Sequence, residues 1–270
     1  PDELVAKDPQ GRADPDGDGV TGELSTGDVT AITIYTAAQE IPQSVDRLVR
    51  DGLMPPPTAE SSELVRRGRE LFSSIRCDAF HVPELRLNDP VFEEPTARGG
   101  GSFRDADMDP ASTALDSGTP FRFHLGRDGD FPRPEPHPAG GLRVPLFGDL
   151  KRHRMGSQLA DPQETPVATA ENEQLEVDGT PVTVGESEFL TAELWGAGNT
   201  GPWLHDGRAA TLEDAILLHG VDSPPGEGDP DRSEAQEERE AFAALSDPEK
   251  DDLLTFLRSL ILFELPHEGE

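Results

Sequence analysis

Cysteine, lysine, tryptophan and tyrosine are scarce in this sequence, and long apolar runs are absent. One cysteine, Cys77, stands in 270 residues, which excludes an internal disulfide framework and any Cys-rich zinc or iron–sulfur site. A lone thiol in an exported protein must be buried, paired with another chain, or covalently committed. No run of 18 apolar residues occurs, so no segment reads as a membrane-spanning helix. Pro1-Asp2-Glu3-Leu4 carries neither a basic n-region nor an apolar h-region. The expectation is therefore an exported, periplasmic or extracytoplasmic chain whose signal peptide has been removed. Positive charge is also short: 23 Lys and Arg face 54 Asp and Glu, a net charge of −31. Lysine appears only as Lys7, Lys151 and Lys250. Such a surface repels phosphate, which excludes duplex DNA and anionic bilayers as default partners. It directs the expectation towards basic protein partners, with association weakened by salt.

Apolar residues make up 34% of the chain, beside 27 Gly and 26 Pro. That implies a modest core and many loops, yet too much apolar content for wholesale disorder. The periodicity predicts a helix over 29–38 and a stiff Met54-Pro55-Pro56-Pro57 linker. Ser61 or Ser62 is expected to cap a second helix with Leu64, Gly68, Leu71, Phe72 and Ile75 on one face, delivering the chain to Cys77. Residues 83–142 read as a long irregular excursion holding one hairpin. Residues 176–184 alternate like a small hairpin turning at Asp178-Gly179. Thr211-Leu-Glu-Asp214 opens a helix through His219, with Gly220 as its stop. An acidic loop follows over 222–235. Ser246-Asp-Pro-Glu249 caps the last helix, whose buried stripe is Leu253, Leu254, Leu257, Leu260 and Ile261. The fold class expected is mainly α, with long irregular loops and a small β-hairpin. The expected division is an N-terminal remnant over 1–60 and a main domain over 61–265, interrupted by the insertion at 83–142. A chain this poor in core residues needs an apolar cofactor or a metal to organise it.

The segment Arg76-Cys77-Asp78-Ala79-Phe80-His81-Val82-Pro83 keeps part of a known spacing. Attachment of haem c uses two thiols two residues apart, for two vinyl groups, and a histidine next to the second thiol as iron ligand. Here the first thiol and the histidine are in place and Phe80 replaces the second cysteine. One thioether and one proximal Fe–N bond remain compatible with that spacing. Taken alone, the pattern reads first as a buried free Cys77 beside a core His81.

Several separated segments extend the pattern. They are Gly68-Arg-Glu-Leu-Phe72, Val144-Pro-Leu-Phe-Gly-Asp-Leu-Lys-Arg-His-Arg-Met-Gly156, Glu188-Phe-Leu-Thr-Ala-Glu-Leu-Trp-Gly196 and, most specifically, Thr200-Gly-Pro-Trp-Leu-His-Asp-Gly-Arg-Ala-Ala-Thr-Leu-Glu-Asp-Ala-Ile-Leu-Leu-His219. In this order they resemble the C-terminal haem domain of the di-haem cytochrome c peroxidase and di-haem oxidoreductase superfamily, over roughly 14–262 with a poor fit across 90–140. The resemblance implies a cytochrome c-like domain. The family carries two C-x-x-C-H motifs; this chain has a variant of one and lacks the other, which belongs to the peroxidatic haem domain.

The resemblance also implies axial ligands. In the family the sixth ligand comes from the end of the helix after the His-Asp-Gly segment, and His219 takes that position. A histidine at a helix C-terminus beside Gly220 is also an ordinary dipole-favoured residue. His81 and His219 together would give a bis-imidazole iron with no place for peroxide, which points to electron transfer. Met155 is the competing ligand, or packs against the porphyrin edge. His205 reads as a group hydrogen-bonding near the haem, or as a turn residue steadying Asp206-Gly207. Trp195 and Trp203 line the haem or belong to the core. Arg208, Arg152 and Arg143 are the candidate partners for haem propionates. Asp14, Asp16 and Asp18, with Val20 and Glu23, form a possible Ca²⁺ loop, although Ser25 stands where an EF-hand has Glu. His124, His137, His153 and His267 are expected on the surface or in loops.

Three readings follow. The first is a mono-haem c-type cytochrome, attached by a single thioether and bis-His ligated, serving a redox partner, for instance within a membrane-associated electron-transfer complex. The second is a peroxidase-like haem enzyme with a dissociable distal ligand or a second haem. The third is a haem-free structural module.

Overall fold

The computed structural model describes residues 26–38, 45–94, 121–128, 133–161, 176–177, 180–181, 185–229 and 231–261. The candidate calcium residues Asp14, Asp16, Asp18, Val20 and Glu23, and His267, lie outside them. The chain divides into two compact units, one from 1–41 and 86–144, the other from 42–85 and 145–270. Among the described residues no helix is long and apolar enough to cross a membrane.

The architecture is mainly α, with six helices and four two-stranded sheets among the described residues. The first unit holds helix α1 (Thr26–Ala38), strands β2 (Val91–Glu94), β3 (Phe121–His124) and β4 (Leu142–Val144), and all but the first residue of β1 (Leu85–Leu87). Strands β2 and β3 pair antiparallel, with Phe92 opposite Phe123 and their rings 5.0 Å apart. β1 pairs with β4. The described residues of the excursion expected over 83–142 hold strands β1, β2 and β3 and the start of β4, in two strand pairs rather than the one hairpin expected.

The second unit holds α2 (Val45–Arg50), α3 (Ala59–Ser74), β5 (Arg152–Arg154), β6 (Glu176–Val177), β7 (Thr180–Pro181), β8 (Glu188–Leu190), α4 (Leu212–Leu217), α5 (Gln236–Ala243) and α6 (Asp247–Arg258). β6 and β7 form the antiparallel hairpin that the alternation predicts, and β5 pairs antiparallel with β8. Helix α3 starts earlier than expected. Its N-cap is Thr58, whose hydroxyl accepts from the Ser61 amide at 3.1 Å, so Ser61 and Ser62 lie inside the first two turns. The sequence misleads here because the apolar stripe begins only at Leu64, a full turn after the cap. At the other end Ser246 and Glu249 make the expected capping box of α6, the Ser246 amide donating to Glu249 at 2.9 Å.

Helices α3 and α6 form the core. Phe72, Phe256 and Phe147 meet edge to face, with centroids 5.4 Å (Phe72–Phe256) and 6.2 Å (Phe72–Phe147) apart, and Trp195 continues the cluster at 6.0 Å from Phe147. Leu253, Leu254, Leu257 and Leu260 are buried as the stripe predicts; Phe256 joins them, while Ile261 is only half-buried. Arg67 clasps the buried Asp252 carboxylate with Nε at 2.9 Å and Nη2 at 3.0 Å, closing one flank of the pair. Gly68 is where the two helices touch. A Cβ built there would lie 2.0 Å from the Asp252 carbonyl oxygen.

α4 starts as predicted. The Thr211 hydroxyl accepts from the Asp214 amide at 3.0 Å and donates to the Asp214 carboxylate at 2.7 Å. Replacing Thr211 with alanine removes that cap and is expected to cost about 1 kcal/mol, read as a lower denaturant midpoint at unchanged slope. The helix ends at Leu217, with His219 just beyond, its amide still bonded to the Ile216 carbonyl at 3.1 Å.

Candidate haem site

Two chain reversals build the site. After α3 the chain turns through Arg76 in the left-handed region (φ 67°) into a single 3-10 turn, Cys77–Ala79. The His81 amide bonds back to the Cys77 carbonyl at 2.9 Å, which brings Cys77 and His81 to the same side. Opposite, α4 ends and the chain turns into α5. The buried side chain of Gln236 clamps this turn, accepting from the Val221 amide at 2.9 Å and donating to the Val221 carbonyl at 2.7 Å. The Ser233 hydroxyl donates to the His219 carbonyl.

Between these reversals lies a cavity of about 530 Å³ within the second unit, in the range of cofactor pockets. Its wall is largely apolar: Phe72, Leu159, Leu194, Trp195, Trp203, Leu212, Ile216, Leu253 and Leu257. Cys77, Phe80, His81, Met155, Trp203, His205 and His219 all line it. The fold thus gathers seven residues from four separated stretches of chain.

His81 and His219 face each other with ring centroids 6.4 Å apart. An imidazole nitrogen sits about 2 Å from a first-row metal, and the ring centroid about 1.1 Å behind it, so two imidazoles holding one ion from opposite sides would have centroids about 6.2 Å apart. Both rings are held from behind. His81 Nδ1 donates to the Phe147 carbonyl at 3.2 Å, and His219 Nδ1 to the Ala215 carbonyl at 2.7 Å. Since a carbonyl only accepts, each Nδ1 carries the proton and each Nε2 keeps its lone pair, the tautomer a ligand needs. Burial, and then His219 facing it, lowers His81 to about 4. Burial also lowers His219. Both rings are therefore neutral at pH 7. Phe72 packs against His81 at 6.4 Å, tying that ring to the α3–α6 core.

The Cys77 thiol is pushed up to about 12, first by burial and then by Glu238 and Asp78. It is a protonated, unpaired thiol on an apolar wall. Phe80 packs edge-on against His153 at 4.8 Å. His205 stacks on Phe189 at 4.5 Å, and the Trp203 indole donates to the Ala197 carbonyl at 3.0 Å.

Two expectations change. Arg208 is not among the lining residues; its guanidinium is held by the Asp206 carboxylate and the Gln158 carbonyl. Arg152 and Arg143 are likewise absent from the lining, whereas Arg239 is present, its side chain 11% exposed and paired to Asp222 and the Leu217 carbonyl. His153, expected on the surface, lines the cavity from β5. Its ring lies between Asp149 and Glu234, at 2.9 Å from each. His124 and His137 do not line the cavity.

The His153 contacts also bear on stability. Burial opposes ionisation of Asp149, but His153, the Lys151 amide and Thr191 prevail and hold its carboxyl at about 2, below the ordinary 3.8. A carboxyl depressed on folding contributes stability that is present above its unfolded value and lost as pH falls through the folded one. Unfolding curves are therefore expected to lose roughly 1–2 kcal/mol between about pH 4 and about pH 2, and His153→Gln should remove most of that loss.

An apolar cavity, two neutral imidazoles with ring centroids 6.4 Å apart and a thiol on the wall together fit a haem. Consistent with that fit, residues 143–260 match the family model of the di-haem oxidoreductases. The matched stretch is similar to a family described as di-haem oxidoreductases and putative peroxidases. It includes His219, Met155, Trp203 and His205 but stops short of Cys77 and His81. No curated protein and no solved structure matches the chain.

Proposed function

We propose that this chain is a mono-haem c-type cytochrome that carries electrons outside the cytoplasm for a basic redox partner. Cys77 would hold the haem by one thioether: its sulfur bonds one vinyl carbon and its proton passes to the other. His81 and His219 would supply the two axial nitrogens. When bound, the haem supplies one reversible one-electron couple. The observation that carries this reading is the opposition of the two imidazoles at 6.4 Å with both Nδ1 atoms tied to carbonyls. Two protein ligands leave no open position for peroxide, which favours electron transfer over peroxidase chemistry. Phe80 fills the place of the second thiol, so the second vinyl stays unmodified. The charge of −31 supports a basic partner and association that weakens with salt.

A reductive titration with a one-electron donor tests the role. The expected result is one electron per chain, fully reversible, with no hydrogen-peroxide-dependent oxidation of a dye. Sustained peroxide turnover would contradict it.

A further inference from the structure

A haem would bring two carboxylates to a largely apolar cavity, in a chain that already carries a net charge of −31. A carboxylate taken out of water needs a charged partner there. Among the described residues that line the cavity, Arg239 is the only arginine or lysine, whereas Glu193 and Glu238 are acids. The lining histidines are otherwise engaged. His81 and His219 are neutral, His153 has both ring nitrogens on Asp149 and Glu234, and His205 is exposed and stacked on Phe189. Arg239 stands on α5, whose Gln236 clamps the preceding turn and also donates to Glu240 at 2.7 Å. The Arg239 side chain is 11% exposed, and its Nε donates at 3.2 Å to the carbonyl of Leu217, the last residue of α4. The guanidinium is thereby tied to the backbone two residues before His219. Its Nη2 donates to Asp222, so the two bonds use two of the five N–H groups that a guanidinium carries. Asp222 is the looser partner, with its side chain 90% exposed. Glu238, next to Arg239 in the chain, lies 3.8 Å from Arg76.

We propose that Arg239 is the carboxylate-binding residue of the cavity: it pairs with one propionate of the haem and releases Asp222 to solvent. The inference rests on the haem reading above. An exposed ion pair such as Arg239–Asp222 is worth little, and Asp222 regains full hydration when it lets go. A propionate drawn against the cavity wall has left its water behind, so the exchange runs in its favour. The guanidinium offers parallel N–H groups that match both oxygens of a carboxylate, which a lysine would not. The bond from Nε to the Leu217 carbonyl takes no part in the exchange and keeps the group in place. Arg239 thus makes the cavity selective for a porphyrin with free acid side chains over one whose acids are masked. It also ties the orientation of the ring to the stretch of chain that carries His219.

The test uses resonance Raman spectra of the haem-loaded protein, in which a propionate bending band falls in frequency when its hydrogen bond is lost. Arg239→Gln is expected to lower one such band while the bands that report the axial ligands stay in place. An unmoved propionate band would overturn the proposal. Absence of the haem absorption bands from the parent would instead overturn the reading beneath it. A second measurement compares ferric haem with its dimethyl ester, both acids masked, as ligands added to the full chain produced without haem. The parent is expected to bind the free acid about tenfold or more tighter than the ester, and Arg239→Gln to bind the two alike. Asp222→Asn, an exposed change that frees the guanidinium, should tighten binding of the free acid about two- to fivefold and leave the ester unaffected. A pair that is merely structural would make D222N weaken both. A preference for the free acid that survives in R239Q, or a D222N protein that binds the free acid no better than the parent, would also overturn the proposal.

Discussion

Replacing His219 with alanine is expected to turn a protein inert to added ligands into one that binds exogenous imidazole or cyanide to full occupancy. The native ring is held by its Nδ1 bond to the Ala215 carbonyl at 2.7 Å, with its centroid 6.4 Å from that of His81. Alanine removes the imidazole and leaves a space of its own shape, so added imidazole should restore the parent absorption spectrum. The fold is expected to survive, because the contacts that clamp this turn use backbone atoms. The Ser233 hydroxyl meets the His219 carbonyl, and Gln236 meets the Val221 amide and carbonyl. Met155→Leu is the control for the competing ligand and should leave the spectrum unchanged. A His219→Ala protein that keeps its six-coordinate spectrum without added ligand would refute the assignment.

Gly68→Ala is expected to destabilise the protein by about 3 kcal/mol or more, the cost of forcing atoms into a close-packed core. In an ordinary helix interior the same change would be favourable by about 1 kcal/mol. The sign reverses because the new Cβ would sit 2.0 Å from the Asp252 carbonyl oxygen and 2.7 Å from the Phe256 Cβ. Both belong to α6, so no flexible side chain can move aside and the helices must separate. That separation carries Phe72 with it, and Phe72 packs against His81. A fall in the denaturation midpoint should therefore be accompanied by weaker haem retention. A variant as stable as the parent would show that α3 and α6 do not meet at Gly68.

What was legible in the sequence was local. The Ser246–Glu249 box, the Thr211 cap, the β6–β7 pairing and the Cys77–His81 spacing each rest on residues within six positions of one another, where backbone geometry dictates the pattern. The opposition of His81 and His219 was reached through resemblance to a family, since 137 intervening residues carry no periodic signal of it. Features that depend on distant partners stayed hidden. The contact of His153 with Glu234 spans 81 residues, and on sequence alone His153 looks like one more polar residue in Lys151-Arg-His-Arg154. Helix α5 was missed because Gln-Glu-Glu-Arg-Glu, over 236–240, reads as a continuation of the acidic loop. Its inner face is set by Gln236 and Glu238, polar side chains that are nonetheless buried. Arg208 misled for the opposite reason: a basic residue beside the His-Asp-Gly turn suggests an anion, and its actual partner is Asp206, two positions away.

The central claim is that one haem is attached to Cys77 by one thioether. A pyridine haemochrome spectrum of the purified protein, taken with its intact mass under denaturing conditions, tests it most directly. The account predicts a polypeptide carrying one covalent haem, with an α-band between those of b-type and two-thioether c-type haem. A mass equal to the bare polypeptide, with no haem band, would contradict it.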